Sequence, residues 1–307
     1  MFTAASTGSW PRSTDPPVPG RRVPPPTSGA ERSVAAATRP RLSRLDAELV
    51  RRRLARSREH AQSLIAAGRV RVDGAPATKP ATRVAVSAAL VVREDADDPD
   101  YVSRGGHKLA GALAVFGPRG LVVAGRRALD AGASTGGFTD VLLRAGAARV
   151  LAVDVGYGQL AWSLRADERV EVHDRTNVRE LTLEAVGGHP VDLITGDLSF
   201  IPLGLVLPAL VGCAAPDADL LLMVKPQFEV GRERLGSGGV VRDPALRAEA
   251  VLGVARRARE LGWGTAGVTA SPLPGPSGNV EYFLWLRAGA PDPAPADVER
   301  AVTEGPR

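Results

Sequence analysis

The sequence predicts an α/β protein: a mostly parallel sheet covered by helices on both faces, preceded by a small basic α+β module. Three observations carry this reading. From Tyr101 onward, short apolar runs alternate with helix-length segments, the pattern that builds parallel sheets. Residues 1–93 hold 17 Lys/Arg against 6 Asp/Glu, whereas residues 94–307 hold 22 against 28. A basic front on a mildly acidic body marks a polyanion-binding module joined to a second domain. The 307 residues, 44% of them apolar, suffice for one large core and one small one. The single cysteine, Cys213, excludes an internal disulfide and fits a reducing compartment. No apolar run approaches the roughly 18 residues of a membrane span. The N-terminus has no hydrophobic signal core, so a cytoplasmic location is expected.

Residues 1–39 are rich in Pro, Ser, Thr and Gly and hold few large apolar side chains, so disorder is expected there. Residues 40–93 form a compact unit. Leu42, Leu45, Leu49 and Leu54 give a helical stripe. Ser57 caps a second helix carrying Ala61, Leu64 and Ile65, and Gly68 stops it. The strand Val70–Val72, the turn Asp73-Gly74, and strands at Val84–Val86 and Leu90–Val92 complete the unit. Its cations, 12 Lys/Arg against 4 Asp/Glu, can lie along a phosphate backbone.

The words Arg44-Leu45-Asp46, Ser57-Arg58-Glu59 and Gly68-Arg69-Val70-Arg71-Val72-Asp73-Gly74 resemble the alpha-L RNA-binding module first described in the fourth small-subunit ribosomal protein. The resemblance implies RNA contacts from Arg44, Arg51, Arg52, Arg56, Arg58, Arg69, Arg71 and Lys79.

Residues 94–103, acidic from Asp95 to Asp98, read as a linker, 104–290 as the second domain, and 291–307 as a tail. In that domain strands are expected at 128–131, 150–155, 170–173, 191–195, 220–224, 264–270 and 280–286. Helices are expected at 136–145, 158–164 and 244–261, with Lys108 on a helix before the first strand.

Asp130-Ala131-Gly132-Ala133-Ser134-Thr135-Gly136-Gly137-Phe138-Thr139 leaves the first strand and opens a helix. Its glycines let backbone approach a ligand, whose polar end meets helix N–H groups. Asp154 ends the next strand, where an open sheet sets a carboxylate against a ribose diol. The loop lacks the dinucleotide G-x-G-x-x-G pattern. Gly132–Gly136 does match the G-x-S-x-G nucleophile elbow, but no histidine follows the later strands. S-adenosylmethionine is the ligand that remains, with Asp130, Gly132, Ser134, Thr135, Gly136, Gly137 and Phe138 around its amino-acid end and Asp154 on its ribose. Asp174 and Asn177 would flank the adenine.

Of the 39 basic residues only Lys79, Lys108 and Lys225 are lysine. Lysine is a compact charge that can give up its proton; arginine is a fork that does not. Lys225 ends the fifth strand, and Asp197 follows the fourth within Asp197-Leu198-Ser199-Phe200. Carboxyl ends of strands meet at one crevice, where Glu281 arrives from an antiparallel strand.

The words SRGGHKL, DAGASTGGFTD, DVGYGQLAWSLR, DLSFI, VKPQFEVG and GPSGNVEYFLWLR make residues 41–290 resemble the TlyA family, which carries the names hemolysin A and rRNA 2′-O-methyltransferase, with a catalytic domain similar to FtsJ. The resemblance implies a Rossmann-like seven-stranded methyltransferase sheet, mostly parallel with one antiparallel strand. It also implies a Lys–Asp–Lys–Glu tetrad at Lys108, Asp197, Lys225 and Glu281, S-adenosylmethionine as methyl donor, and a cytidine of ribosomal RNA, free or in subunits, as target. No metal and no membrane partner are expected.

Methyl transfer to a 2′-hydroxyl needs in-line alignment and removal of a proton. Lys225 is the expected proton acceptor. Lys108 and Glu281 are expected to position Lys225 and the ribose, with Asp197 near the methyl group. Three rival functions differ in class. A base N-methyltransferase is suggested by the likeness of Asp197–Phe200 to an Asp-Pro-Pro-Tyr loop, though the prolines are missing. A hemolysin would require membrane-active segments, and none is evident. A non-catalytic ribosome-binding factor would have no use for the tetrad.

Overall fold

The computed structural model describes residues 42–93, 99–275 and 277–306. The expected disorder of 1–39 and most of the acidic linker fall outside these residues. The chain enters on β1 (Leu42–Arg44), followed by α1 (Leu45–Arg51), α2 (Arg58–Ala66), β2 (Val70–Val72), β3 (Ala75–Pro76), β4 (Arg83–Ala85) and β5 (Leu90–Val92). β1 pairs with β4, and β3-β2-β5 form a second small sheet. Leu45, Leu49, Ala61, Leu64, Ile65 and Val70 make the core of this unit. Leu42 departs from the expected stripe. It lies in β1 opposite Ala85 and is exposed, because strand pairing holds the chain extended until Leu45. Ser57 accepts the His60 amide at the start of α2, and Asp73 and Gly74 take the positive φ angles that a tight hairpin turn requires.

The arginines of this unit are tied down by two fully buried carboxylates. Asp46 accepts from Arg44 and Arg58, and Glu48 from Arg51 and Arg52. The Arg44 hydrogen bond holds the Asp46 carboxyl well below the usual carboxylate range. Arg44, Arg51 and Arg58 are thereby anchored at one end with about half of each side chain left in solvent (48–57%). Two of the expected RNA contacts look elsewhere. Arg52 turns inward to the carbonyls of Val86 and Ala88 (both 2.6 Å), closing the corner of the fold. Arg56 reaches Asp100 and the Tyr101 carbonyl, bracing this unit against the segment that follows it. Arg69 donates to the Arg93 carbonyl, Arg71 is half-buried on β2, and Lys79 is exposed.

The second part begins with α3 (Arg104–Phe116), then β6 (Arg127–Ala131), α4 (Gly137–Arg144), β7 (Arg149–Val153), α5 (Trp162–Arg165), β8 (Val170–His173), β9 (Val191–Gly196) and α6 (Leu203–Cys213). It continues through β10 (Ala214–Val224), α7 (Pro226–Glu229), α8 (Pro244–Glu260), β11 (Trp263–Ala270), β12 (Tyr282–Ala288) and α9 (Pro295–Glu304). The seven strands run in the order β11-β12-β10-β9-β6-β7-β8. β12 is antiparallel to both neighbours, and the other pairings are parallel. The central strands are buried on both faces, between two apolar cores.

Several elements differ from expectation. β10, expected at 220–224, begins at Ala214. The helix expected at 158–164 is only Trp162–Arg165: Gly158 takes a positive φ outside the helical range, and its amide is held by Asp174. α6 (Leu203–Cys213) is apolar throughout and runs on through Pro208, a residue that reads as a helix stop, so no amphipathic period announces it. The expected tail carries α9, whose Val298 and Ala301 are buried in the core beside β11 and α8.

Candidate active site

The carboxyl ends of β6, β9 and β10 and the first turn of α3 surround a cleft of about 260 Å³. The loop after β6 forms its floor because of what glycine permits at two positions. Gly132 has φ +84, and a Cβ there would meet the Asp197 carbonyl oxygen at 2.9 Å. Gly136 has φ +100, and a Cβ would strike Leu164 at 2.2 Å. Gly132, Ser134, Thr135, Gly137 and Phe138 line the cleft; Gly136 shapes the loop without facing it.

Asp154 secures the loop from the side. Its Oδ2 accepts the Ser134 amide (2.8 Å) and its Oδ1 the Gly156 amide (2.7 Å). Asp130 lies fully buried beneath, where Oδ2 accepts from Thr139 Oγ1 (2.7 Å) and Oδ1 has no hydrogen-bond partner. Burial, with the charges of Asp197 and Asp154 nearby, pushes the Asp130 carboxyl up to about 7. Ser134 has the positive φ of an elbow, but its Oγ meets Gln159 Oε1 at 3.4 Å rather than an imidazole.

The four tetrad residues resolve into two ion pairs. Lys108 Nζ lies 2.5 Å from Glu281 Oε2, and Lys225 Nζ lies 2.6 Å from Asp197 Oδ1. Lys225 also donates to Ser199 Oγ (2.9 Å). Both lysines are buried, and Glu281 is almost completely enclosed (1% exposed). The partner of Lys225 is therefore Asp197, and Glu281 serves Lys108. This reverses the expectation that Glu281 would position Lys225. β10 lies between β9 and β12, so the sheet brings both carboxylates near Lys225; side-chain direction decides, with Asp197 turned to Lys225 and Glu281 turned to Lys108 on α3.

Two residues assigned to the adenine are engaged otherwise. Asp174 binds Arg165 and the Gly158 amide, and Asn177 caps the turn at 178–180 by accepting the Arg179 amide. Five cleft residues were not assigned from sequence: Ser103, Arg104, Gly105, Ala133 and Ser199. Arg104 sits one helical turn before Lys108 and donates to the Pro274 carbonyl (3.2 Å), a spacing readable in Arg104-Gly105-Gly106-His107-Lys108. Phe200 is 91% exposed at the rim, has a positive φ (+65), and its ring meets Phe228 at 5.2 Å. Among the described residues there is no group of three or more His, Cys, Asp or Glu suited to a metal ion, and no helix long and apolar enough to cross a membrane.

The glycine floor, the orphaned carboxylate oxygen of Asp130 and the side-on Asp154 fit a ligand with a cationic amino-acid end and a diol. The paired lysines above fit a hydroxyl to be deprotonated. Comparison with known proteins agrees. Residues 101–288 match the FtsJ-like methyltransferase model and residues 43–90 the S4 domain model. The 16S/23S rRNA (cytidine-2′-O)-methyltransferase TlyA of Mycobacterium tuberculosis is 64% identical over 271 residues, covering 87% of this chain and 99% of that protein. Hemolysin A of Brachyspira hyodysenteriae is 35% identical, covering 74% of this chain and 92% of its own. A solved structure from Streptococcus thermophilus, named a hemolysin, superposes with TM-score 0.69 at 36% identity, covering 86% of this chain and 95% of its own.

Proposed function

Because the chain belongs to the TlyA family of FtsJ-like methyltransferases with an S4 domain, we propose that it moves a methyl group from S-adenosylmethionine to a ribose 2′-hydroxyl of a cytidine in ribosomal RNA. The observation that carries the reading is the pair of buried lysine–carboxylate contacts opening onto the glycine loop. A ribosomal substrate implies a cytoplasmic location.

S-adenosylmethionine, when bound, supplies a methyl group on a sulfonium. Ser134, Thr135, Gly137 and Phe138 would hold its amino-acid end, and Asp154 would accept from its ribose diol. Lys225 orients the RNA hydroxyl and takes its proton as the oxygen attacks in line. Asp197 and Ser199 hold the Lys225 amine toward the cleft. Lys108, kept in place by Glu281, adds a second positive charge on the opposite wall, where negative charge grows on the attacking oxygen. Phe200 offers an exposed ring on which the base of the target nucleotide can stack.

Incubating the protein with S-adenosylmethionine and ribosomal subunits tests this. The expected product resists alkaline cleavage at one position, and mass spectrometry places the added methyl on a cytidine ribose. Methyl on a base, with normal alkaline cleavage, would replace the reading by base N-methylation.

Asp154→Ala should weaken cofactor binding by roughly 10- to 100-fold, the loss of charge-assisted hydrogen bonds, with RNA affinity unchanged. Calorimetry giving wild-type cofactor affinity would remove Asp154 from the site. RNA affinity should come chiefly from the S4 unit, where Arg44, Arg51 and Arg58 are anchored yet half-exposed. Log affinity should then fall linearly with log salt, by about 0.7–0.9 per phosphate contact. The double variant Arg71→Ala/Lys79→Ala, which leaves the buried Asp46 and Glu48 with their arginine partners, should flatten that slope; an unchanged slope in a titration against ribosomal RNA would place the contacts elsewhere.

A further inference from the structure

The two loops that carry Asp197 and Lys225 are joined beyond the sheet, and the join ends at a residue outside the chemistry. β9 and β10 lie in parallel register, Leu220 opposite Ile194 and Leu222 opposite Gly196. The same offset of 26 residues continues after the strands through side chains. Lys225 donates to Ser199 (2.9 Å), and the Leu203 amide donates to Glu229 Oε1 (2.9 Å). Between these two ties the rings of Phe228 and Phe200 meet. The second tie caps α6, since Leu203 is its first residue and Pro202 at the cap position has no side chain to offer. Glu229 is half-buried, and burial pushes its carboxyl up to about 7. Either protonation state leaves an oxygen to accept the amide.

We propose that Glu229 is a positioning residue for methyl transfer. By accepting the Leu203 amide it fixes the far end of the segment Asp197–Pro202, and so sets Ser199 against Lys225 and holds Phe200 at the rim. Phe200 needs such a restraint, because a positive φ on a bulky residue is costly and persists only where the surroundings enforce it. The loop has a strand at one end and Glu229 at the other. Without Glu229 the loop can relax, Ser199 leaves Lys225, and the proton acceptor loses its aim. Glu229 itself does not line the cleft, so cofactor binding should not depend on it.

This inference rests on the reading of the cleft as a 2′-hydroxyl methyl-transfer site, and the experiment separates the two. Single-turnover rates on ribosomal subunits would be measured for the wild type and for Glu229→Ala, Glu229→Asp and Glu229→Gln, well below each variant's melting temperature. S-adenosylmethionine affinity would be measured alongside. Glutamine reaches the amide with a neutral oxygen; aspartate keeps the charge but is one methylene short. Glu229→Ala and Glu229→Asp are expected to slow transfer roughly 10- to 100-fold, the penalty of small misplacement at a reacting centre, with cofactor affinity intact. Glu229→Gln is expected to keep at least half of the wild-type rate. A plain structural cap would lower the melting temperature and leave the rate of the folded enzyme alone. Wild-type rates for the alanine and aspartate variants would overturn the proposal, as would a glutamine variant as slow as alanine. Should the alanine variant not fold, the contrast of aspartate with glutamine decides alone. A wild type that adds no ribose methyl would instead overturn the underlying reading.

Discussion

Lys225→Arg is expected to slow methyl transfer by roughly 10²–10⁴-fold, the usual contribution of a general base, while cofactor and RNA still bind. Lys225 Nζ sits in a tight seat, 2.6 Å from Asp197 and 2.9 Å from Ser199, with only 7% of the residue exposed. Arginine keeps the positive charge, but its guanidinium does not give up a proton near neutral pH. A purely electrostatic role would survive the change in part; a proton acceptor would not. Single-turnover methylation is the measurement. Retention of more than about a tenth of the rate, well short of the general-base range, would sink the proton-acceptor role.

The second large effect concerns the other pair. Glu281→Ala strands the Lys108 ammonium in a buried site, and breaking a buried pair by removing one partner costs about 3–5 kcal/mol. In a domain of this size that lowers the melting temperature by roughly 10 °C, and activity should vanish with it. The double variant Lys108→Met/Glu281→Leu separates the two consequences. Apolar replacement of both partners is commonly neutral or stabilising, so melting should recover. Activity should not recover, because the second cation of the cleft is gone. Thermal melts and transfer rates on the same preparations check both. A Glu281→Ala protein that melts normally and methylates normally would show the pair to be dispensable.

The sequence carried the architecture well because the rule behind it is strong. In an open α/β sheet, whatever follows the carboxyl end of a strand faces the same crevice, so Asp154, Asp197 and Lys225 could be placed from strand positions alone. Which lysine takes which carboxylate was not legible. Strand ends place backbones, whereas pairing depends on side-chain direction and on the order β12-β10-β9, which adjacency in sequence does not reveal. The same limit applies to the basic unit. Arg52 and Arg58 look alike as letters, but one closes a corner through the Val86 and Ala88 carbonyls and the other faces solvent from Asp46. Asn177 likewise had a suitable residue type in a suitable place, and capping a turn claimed it. α6 was hidden because an all-apolar segment has no polar face from which to read a period.

The Lys108–Glu281 contact spans 173 residues of chain. During synthesis Lys108 is made early and Glu281 late, so the ammonium on α3 must stay hydrated until the residues leading into β12 have left the ribosome. β11 is translated before β12 yet reaches the sheet only through it. A nascent chain stopped between the end of β10 with Lys225 and Glu281 thus has its cofactor floor and its proton acceptor but lacks the clasp on α3, and the edge of β10 stays open to wrong partners. The modifier of ribosomes gains its complete cleft only after nearly all of that chain has passed through one.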